Sequence, residues 1–301
     1  GRFAKLREFC DMFSNFNMSH LSYNCLYGDP KVIDDADVAY GKPRIAHEIC
    51  ILGTYPDLTL ESRYEGTRIG KTELFAGPRK MLEELGLKNR AALYYKNSSL
   101  WQSLLRKHTF ETARKAETLS GYDFLGDIDH HWHTSGYRVG LMNEFYELKP
   151  GVTVENVLQY NNASVLLCDL GNKRCYPENT DINIEFSVSH YAGENLENAT
   201  LTVRINSADN SVFENYSFTV NAENGKISTL ASLKTALPSV QRPTKININA
   251  KLTQAEFSID NDWEIWVFPE VSAPESSFII TRELTDEVIE RLVAGEDVLM
   301  L

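Results

Sequence analysis

The sequence predicts an α/β unit, then an all-β unit, then the beginning of a further α/β unit. In residues 1–150, helix-like and strand-like segments alternate, an order typical of a parallel sheet covered by helices. In residues 151–272, short segments carry apolar residues at every second position, which is typical of an antiparallel sandwich. Residues 273–301 return to a strand, helix, strand order. We therefore expect three units, with boundaries after residues 150 and 272.

The first unit opens with a predicted helix over residues 2–18, in which Phe and Leu recur at helical spacing. A strand is predicted at residues 20–27, and a polar loop at residues 28–40. Pro43 favours the start of a second strand over Arg44–Ile49, because proline is tolerated at the beginning of a strand but not inside a paired one.

A long helical zone separates this strand from the next one. Helical periodicity covers residues 71–85, 87–108 and 110–119, with an interruption predicted at residues 97–99, Asn-Ser-Ser. A third strand is predicted over residues 121–129.

Three strands are too few to close a barrel, because a complete eight-stranded barrel of parallel strands takes roughly 200 residues or more. We therefore interpret residues 1–150 as the C-terminal part of a TIM-barrel-like catalytic domain. Open strand edges pair readily with other chains, so we expect them to be covered by a second copy in a homo-oligomer or by the first helix.

The second unit is predicted to be an immunoglobulin-like β-sandwich of about 100 residues. Its predicted strands are residues 165–170, 180–190, 199–206, 215–220, 245–253 and 263–268. Cys168 and Cys175 flank a Gly-Asn turn, which leaves two alternatives: a disulfide across a hairpin, or two independent buried thiols.

The third unit begins with a strand-like run at residues 278–281. An amphipathic helix follows over residues 282–294, with Thr285 as the predicted N-cap. Residues 298–301 begin another strand. This order predicts the first βαβ piece of a truncated α/β domain.

Composition and motifs exclude several classes of function. A formal net charge of −12 argues against a nucleic-acid surface. No stretch approaches the roughly 18 consecutive apolar residues that indicate a membrane span. A CxxC pair, a glycine-rich phosphate loop and a serine nucleophile elbow are all missing from the sequence. We therefore expect no cofactor, no nucleic-acid partner and no membrane partner.

Two segments hold the residues that could do chemistry. His47 and Glu48 come at the end of the second predicted strand, with Tyr55 a few residues later. In a barrel of parallel strands, the C-terminal end of each strand is where catalytic groups lie. The alternative is that Glu48 is a surface acid beside a capping histidine, since single carboxylates are mostly structural.

The second segment is the run Asp-Ile-Asp-His-His-Trp-His at residues 127–133. Asp129, His130 and Trp132 are candidates for binding a sugar, because sugar sites use hydrogen-bonding side chains and aromatic platforms. A metal site remains an alternative, in which Asp129, His131 and His133 share one face of an extended segment. A packing role for the same residues is the third alternative.

The order of these motifs resembles glycoside hydrolase family 2, in its Bacteroides-type members related to β-galactosidases and β-glucuronidases. The resemblance rests on PRIAHEI, on GYDFLGDIDHHWHTSGYRVGLMNEFYELKPG, and on a sandwich that closes on NDWEIWVFP. It implies a retaining enzyme for β-linked sugars, with Glu48 as the nucleophile and the cluster before Trp132 lining the sugar site. It also implies a periplasmic or extracellular location.

The family's acid/base glutamate follows an asparagine on an earlier barrel strand, and no such pair stands at a suitable strand end here. We therefore expect the acid/base to be missing from this chain, which would leave the chain inactive by itself. Two alternatives stay open: a non-catalytic carbohydrate-binding or scaffold protein, and a metal-dependent hydrolase that uses residues 127–133.

Overall fold

The computed structural model describes residues 9–15, 29–35, 41–68, 73–130, 138–171, 173–207, 211–270 and 277–301. The helices are α1 Pro30–Asp35, α2 Glu73–Glu84, α3 Ala91–Lys115, α4 Val154–Leu158 and α5 Asp286–Val293, with 3-10 turns at Leu58–Tyr64 and Lys88–Arg90. The strands are β1 Phe13–Asn15, β2 Arg44–Ile49, β3 Gly121–Phe124, β4 Ser164–Asp169, β5 Cys175–Pro177, β6 Asp181–His190, β7 Leu196–Ser207, β8 Val212–Ala222, β9 Lys226–Ala236, β10 Thr244–Gln254, β11 Phe257–Phe268, β12 Ile279–Thr281 and β13 Val298–Met300.

The first unit contains a parallel sheet in the order β1-β2-β3. The buried side chains Ala46 and Ile49 of β2 join a core with Ile33 of α1 and Phe110 of α3. A parallel sheet with helices against it agrees with the predicted α/β class. Whether these strands belong to a barrel stays a prediction.

The predicted strand β2 is confirmed, but it contains an irregularity at Glu48. Its register with β3 shifts between Ala46 and Ile49, and Glu48 has a φ of 55°. In a regular strand, residues two apart share a face, so Glu48 would point inward with Ala46. The irregularity turns Ile49 into the core instead, at 0% exposed, and leaves Glu48 at the sheet edge.

Three expectations for the first unit were wrong in part. Phe13–Asn15 is a strand paired with β2 rather than the middle of a helix. The predicted loop contains α1, which forms because Ile33 packs into the core and Asp29 accepts a hydrogen bond from the Lys31 N–H. The third strand ends at Phe124, shortly before Gly126, whose φ of 124° departs from extended backbone. The strand predicted at residues 20–27 lies outside the described residues.

The interruption predicted within the long helical zone is also wrong. The helix α3 runs unbroken through residues 97–99 and ends at Lys115. The hydroxyls of Ser98 and Ser99 donate to the Tyr95 carbonyl inside the helix, at 3.0 and 2.8 Å, so they do not compete with its backbone bonds. The helix predicted at residues 71–85 is confirmed as α2.

The second unit consists of two sheets that share one hydrophobic core. Their strand orders are β5-β11-β10-β7-β8 and β4-β6-β9, and the pairing is antiparallel except between β5 and β11. Phe186 and Ile248, one from each sheet, are fully buried. All six predicted strands are confirmed, with ends that shift by up to six residues. The arrangement is consistent with a β-sandwich, and its immunoglobulin-like identity stays a prediction.

Of the two alternatives left open for Cys168 and Cys175, the structure excludes the disulfide. Both thiols are free, with Cys168 buried and Cys175 exposed. Cys168 lies on β4 and Cys175 on β5, and these strands belong to different sheets. The two residues therefore do not face each other across a hairpin, and only one of them is the buried thiol of the alternative prediction.

The helix α3 joins the two units through polar contacts. The carboxylate of Glu111, 5% exposed, accepts hydrogen bonds from Asn261 Nδ2 and Trp263 Nε1 of β11, both at 2.9 Å. Lys115 donates to the Cys168 carbonyl at 2.6 Å, and Arg114 donates to the Asn162 carbonyl at the same distance. These contacts fix the sandwich against the helix that covers the parallel sheet.

The C-terminal βαβ order is confirmed. Strands β12 and β13 pair in parallel, and the Thr285 hydroxyl accepts a hydrogen bond from the Val288 N–H as the N-cap of α5. No residue in 277–301 is buried, although several carry large apolar side chains. Among the described residues, no helix is long and apolar enough to cross a membrane.

Candidate active site

Glu48 lies next to two other titratable side chains at one edge of the parallel sheet. We call His47, Glu48 and Asp123 the edge cluster. Glu48 and His47 come from β2, and Asp123 comes from β3, whose residue Tyr122 is level with Ala46. Because the strands are parallel neighbours, side chains at matching positions meet at the same edge.

Hydrogen bonds accepted by Asp123 hold the edge cluster together. Its Oδ1 accepts the backbone N–H of Glu48 at 3.0 Å, and both its oxygens lie 3.1 Å from His47 Nδ1. The other ring nitrogen of His47 lies 3.8 Å from Glu48 Oε1. The imidazole of His47 is therefore placed between two carboxylates.

This arrangement favours the charged form of His47. The hydrogen bond to Asp123 raises its pKa above the ordinary value, and the charges of Asp123 and Glu48 act in the same direction. The side chain of Glu48 is 26% exposed, against 52% for Asp123, so Glu48 is the more enclosed carboxylate. The cluster therefore favours an imidazolium at His47, with a carboxyl group on either side.

Asp123 was not among the residues predicted from the sequence. The predicted third strand ran to residue 129, which drew attention to Asp127 and Asp129 at its end. The observed strand ends at Phe124, and Asp123 is thus one residue from its C-terminal end. Asp123 could have been identified from the register between β2 and β3, which places it beside His47 and Glu48. A single sequence does not reveal that register.

Asp129, predicted to bind substrate, lies in a second group of polar side chains. We call Thr54, Asp129, Arg138 and Lys149 the inner cluster. Lys149 Nζ lies 2.7 Å from Asp129 Oδ1, and both side chains are at most 5% exposed. Asp129 Oδ1 also accepts the Gly140 N–H at 2.8 Å. These contacts give Asp129 a structural role, and its binding of substrate stays a prediction.

Burial governs the charges of this pair. It raises the pKa of Asp129 and lowers the pKa of Lys149 to about 8. The positive charge of Lys149 acts to lower the pKa of Asp129, and the negative charge of Asp129 acts to raise the pKa of Lys149, but burial has the larger effect on both. Lys149 Nζ also donates to the Arg138 carbonyl at 3.0 Å and to Thr54 Oγ1 at 3.3 Å. The inner cluster thus ties the segment after β2 to the segment after β3.

Tyr55 and His130, also predicted to bind substrate, lie outside the edge cluster. Tyr55 lines a small cavity beside Asp129 and Arg138, and its ring contacts Tyr94 edge to face with centroids 5.6 Å apart. His130 is half-buried. Trp132 lies outside the described residues, as do His131 and His133 of the metal hypothesis. The structure therefore joins His47 to Glu48 as expected, and groups Tyr55 with Asp129 elsewhere.

No metal centre can be built from the part of the chain that the structure describes. Within those ranges, no group of three or more His, Cys, Asp or Glu side chains is arranged to hold a metal ion.

A family model matches residues 180–269, described as a domain of unknown function (DUF8488). The match covers most of the sandwich and less than half of the chain. No curated protein matches the chain.

Solved structures that resemble the chain include several glycoside hydrolases. One is the β-glucuronidase of Parabacteroides merdae, with 13% identity and a TM-score of 0.24 over 29% of this chain and 11% of that chain. Another is the exo-chitosanase of Amycolatopsis orientalis, with 10% identity and a TM-score of 0.39 over 59% of this chain and 19% of that chain. A family 123 glycoside hydrolase from Clostridium perfringens has 14% identity and a TM-score of 0.25, over 36% and 25% of the two chains.

These similarities are weak and partial. The chain spans about a tenth of the length of the β-glucuronidase and about a fifth of the exo-chitosanase. Likeness at this level assigns neither an activity nor a catalytic residue to this chain.

Proposed function

We propose that the chain is part of a retaining glycoside hydrolase acting on β-linked sugars, with Glu48 as its nucleophile. The observation that carries the proposal is the position of Glu48 at the C-terminal end of a parallel strand, with φ at 55° and its N–H bound to Asp123. A non-glycine residue in left-handed backbone costs on the order of 1 kcal/mol, and such outliers cluster at functional sites. In the same proposal, the parallel strands belong to a TIM-type barrel and the following sheets form an immunoglobulin-like domain.

The chemistry follows from what each group of the edge cluster can do. The carboxylate of Glu48 would attack the anomeric carbon while the bond to the glycosidic oxygen breaks, and that oxygen would leave with a proton from the acid/base. Water would then hydrolyse the covalent glycosyl intermediate and release Glu48. His47 would hydrogen-bond a sugar hydroxyl. Asp123 already accepts hydrogen bonds from His47 and the Glu48 N–H, so we assign it a positioning role. The acid/base would come from outside this chain.

The test uses the full-length parent protein and an aryl β-glycoside panel. Glu48→Gln should reduce hydrolysis by at least about 10³-fold, the scale expected when a covalent nucleophile is removed. A 2-fluoro aryl glycoside should label Glu48, as read by peptide mass spectrometry. Glu185→Gln, at an exposed carboxylate of the sandwich, is the matched control and should keep full activity. Full activity of Glu48→Gln would refute the assignment.

A second candidate function is a non-catalytic carbohydrate-binding protein. It is favoured by the exposure of the edge cluster, in which the His47 side chain is 42% exposed and that of Asp123 is 52% exposed. Catalytic carboxylates usually lie in clefts that exclude water. Sugar binding without hydrolysis by the full-length protein would favour this candidate.

A further inference from the structure

A groove of about 680 Å³ separates α3 from the edge of the sandwich. Its lining includes Leu100, Trp101 and Leu104 of α3 and Trp266 of β11. The volume is in the range of small-molecule sites, about 300–1,000 Å³. No lining residue belongs to the edge cluster or the inner cluster, so the groove is a separate feature.

Two indole rings are open to solvent along this groove. Trp101 is 47% exposed and Trp266 is 42% exposed, whereas Trp263, which also lines the groove, is 7% exposed. Tryptophan combines a large apolar face with one polar N–H, and it is costly to leave in water. Two such faces in the lining of one groove suit a ligand with flat apolar surfaces.

The floor of the groove is already fixed. Trp263 Nε1 donates to Glu111 Oε2 at 2.9 Å, and Lys107 donates both to Glu111 and to Asn261 Oδ1. A floor held by buried hydrogen bonds loses little conformational freedom when a ligand arrives. The groove is therefore preformed rather than dependent on rearrangement.

Polar groups stand at the rim in fixed orientations. Gln159 Nε2 donates to Asp262 at 2.9 Å, which leaves its amide oxygen available as an acceptor. Arg174 Nη1 donates to the Gly171 and Lys173 carbonyls at 2.8 Å, so its remaining N–H groups are held beside the groove. The rim thus presents both acceptors and donors to ligand hydroxyls.

The charges of the lining are largely balanced, which suits an uncharged ligand. Glu111 is paired with Lys107 and Glu264 with Lys245, which leaves one acid, Asp262, and one base, Arg174. The whole chain carries a formal net charge of −12. Repulsion of this kind disfavours polyanions. An uncharged ring with apolar faces and a hydroxyl rim, which describes a pyranose, matches the lining.

We infer that this groove is a second carbohydrate-binding site, which holds neutral pyranose units between Trp101 and Trp266. We expect these pyranose units to belong to β-linked oligosaccharides, and this part of the inference rests on the proposed function. The site would bind a part of the glycan that is not being cleaved, and it would need no carboxylate of the edge cluster.

The test is a calorimetric titration of the intact chain with neutral β-linked hexaoses of glucose, galactose and N-acetylglucosamine, and with polygalacturonate. At least one neutral hexaose should bind saturably, with a blue shift of tryptophan fluorescence, and polygalacturonate should not bind. Trp101→Ala and Trp266→Ala should each weaken binding about tenfold, as expected for an aromatic anchor worth more than 1 kcal/mol. Tyr191→Ala, an exposed aromatic that does not line the groove, is the control.

The outcomes separate this inference from the proposed function. Glu48→Gln should bind the hexaose as tightly as the unaltered chain, even where hydrolysis by the parent protein is lost. The inference is overturned if no neutral hexaose binds, or if both tryptophan variants, shown to be folded by circular dichroism, bind normally. It is also overturned if the groove is covered by a second copy, seen as a dimer in ultracentrifugation that Trp101→Ala dissociates.

Discussion

One backbone angle determines which side chains reach the edge of the parallel sheet. Ala46 and Ile49 are three residues apart, yet both are buried on the same side of β2. Only the left-handed φ of 55° at Glu48 makes this possible. His47 and Glu48 could be singled out from the sequence, but their meeting with Asp123 depends on this irregularity and on the register between strands.

Replacing Asp123 should lower the pKa of His47. The hydrogen bond that His47 donates to Asp123 is the largest cause that raises the pKa, so Asp123→Asn should move the His47 titration toward the ordinary value near 6.5. Imidazole proton shifts followed by NMR against pH would measure this. Asp181→Asn, at an exposed aspartate of β6, is the control and should leave His47 unchanged. An unshifted His47 in Asp123→Asn would contradict the geometry of the edge cluster.

Gly140 is required by a close approach of two backbone segments. A Cβ at this position would lie 2.5 Å from the Ile128 carbonyl carbon and 2.6 Å from the Met142 oxygen. Neither atom belongs to a side chain that could move aside, so Gly140→Ala should cost about 3 kcal/mol of unfolding free energy. Urea denaturation would measure the loss.

Gly53→Ala is the matched control for this prediction. A Cβ at Gly53 meets nothing within 4 Å, and its φ is outside the left-handed region. We expect its stability to change by less than about 0.5 kcal/mol. Equal stability of the two alanine variants would show that the backbone around Gly140 can relax.

Strands with a regular alternation of apolar and polar residues could be predicted from the sequence. Strands that form because they pair with a distant segment could not. The strands β6 and β7 alternate strictly between buried and exposed positions over much of their length, and both were found. β9 was missed because only Leu233 and Thr235 of its eleven residues are buried, so it lacks a sustained alternation of buried and exposed positions. β1 owes its existence to pairing with β2, and helical spacing of its neighbours concealed it.

The contact of α3 with the sandwich should depend on the charge of Glu111. Removing one partner of a buried charge pair costs about 3 kcal/mol or more, so Glu111→Gln should lower the unfolding free energy by that amount near neutral pH. Glu185→Gln, at an exposed carboxylate, should have little effect.

The stability that Glu111 contributes should also depend on pH. Burial raises the pKa of Glu111, but Lys107 and the hydrogen bonds from Lys107 and Trp263 outweigh it, so the pKa lies below the ordinary value. A carboxylate with a depressed pKa stabilises the fold above its unfolded-state pKa, near 4.3. This stability is lost as pH falls through the folded-state pKa. The difference between the original chain and Glu111→Gln should therefore shrink below about pH 4, as followed by denaturation at each pH.

At the scale of the whole molecule, stability is concentrated in two cores and absent from the C-terminal piece. Residues 277–301 contain no buried side chain, so they contribute little apolar burial. Removing them should change the unfolding free energy of the rest by less than about 0.5 kcal/mol. Ile248→Ala, at a fully buried position of the sandwich, should cost about 3 kcal/mol and serves as the comparison. A comparable loss on truncation would show that the tail packs against the rest.

The order of units along the chain could be predicted because each unit has its own periodicity. The way the units meet could not, because it depends on particular polar side chains of α3. From the sequence alone, Glu111 is expected to be a surface residue of an amphipathic helix, since acidic side chains are rarely buried. Its partners Asn261 and Trp263 lie about 150 residues further along the chain.

The polar junction of α3 constrains how this chain can be recombined with others. Four side chains of α3 form directional hydrogen bonds with atoms of the second unit: Lys107, Glu111, Arg114 and Lys115. A chimera that exchanged only the sandwich would leave these groups facing unmatched atoms in a water-poor interface. A chimera that keeps these hydrogen bonds must therefore exchange the second half of α3 together with the sandwich. The boundary of the exchangeable segment thus lies inside the helix and not at the start of the sandwich.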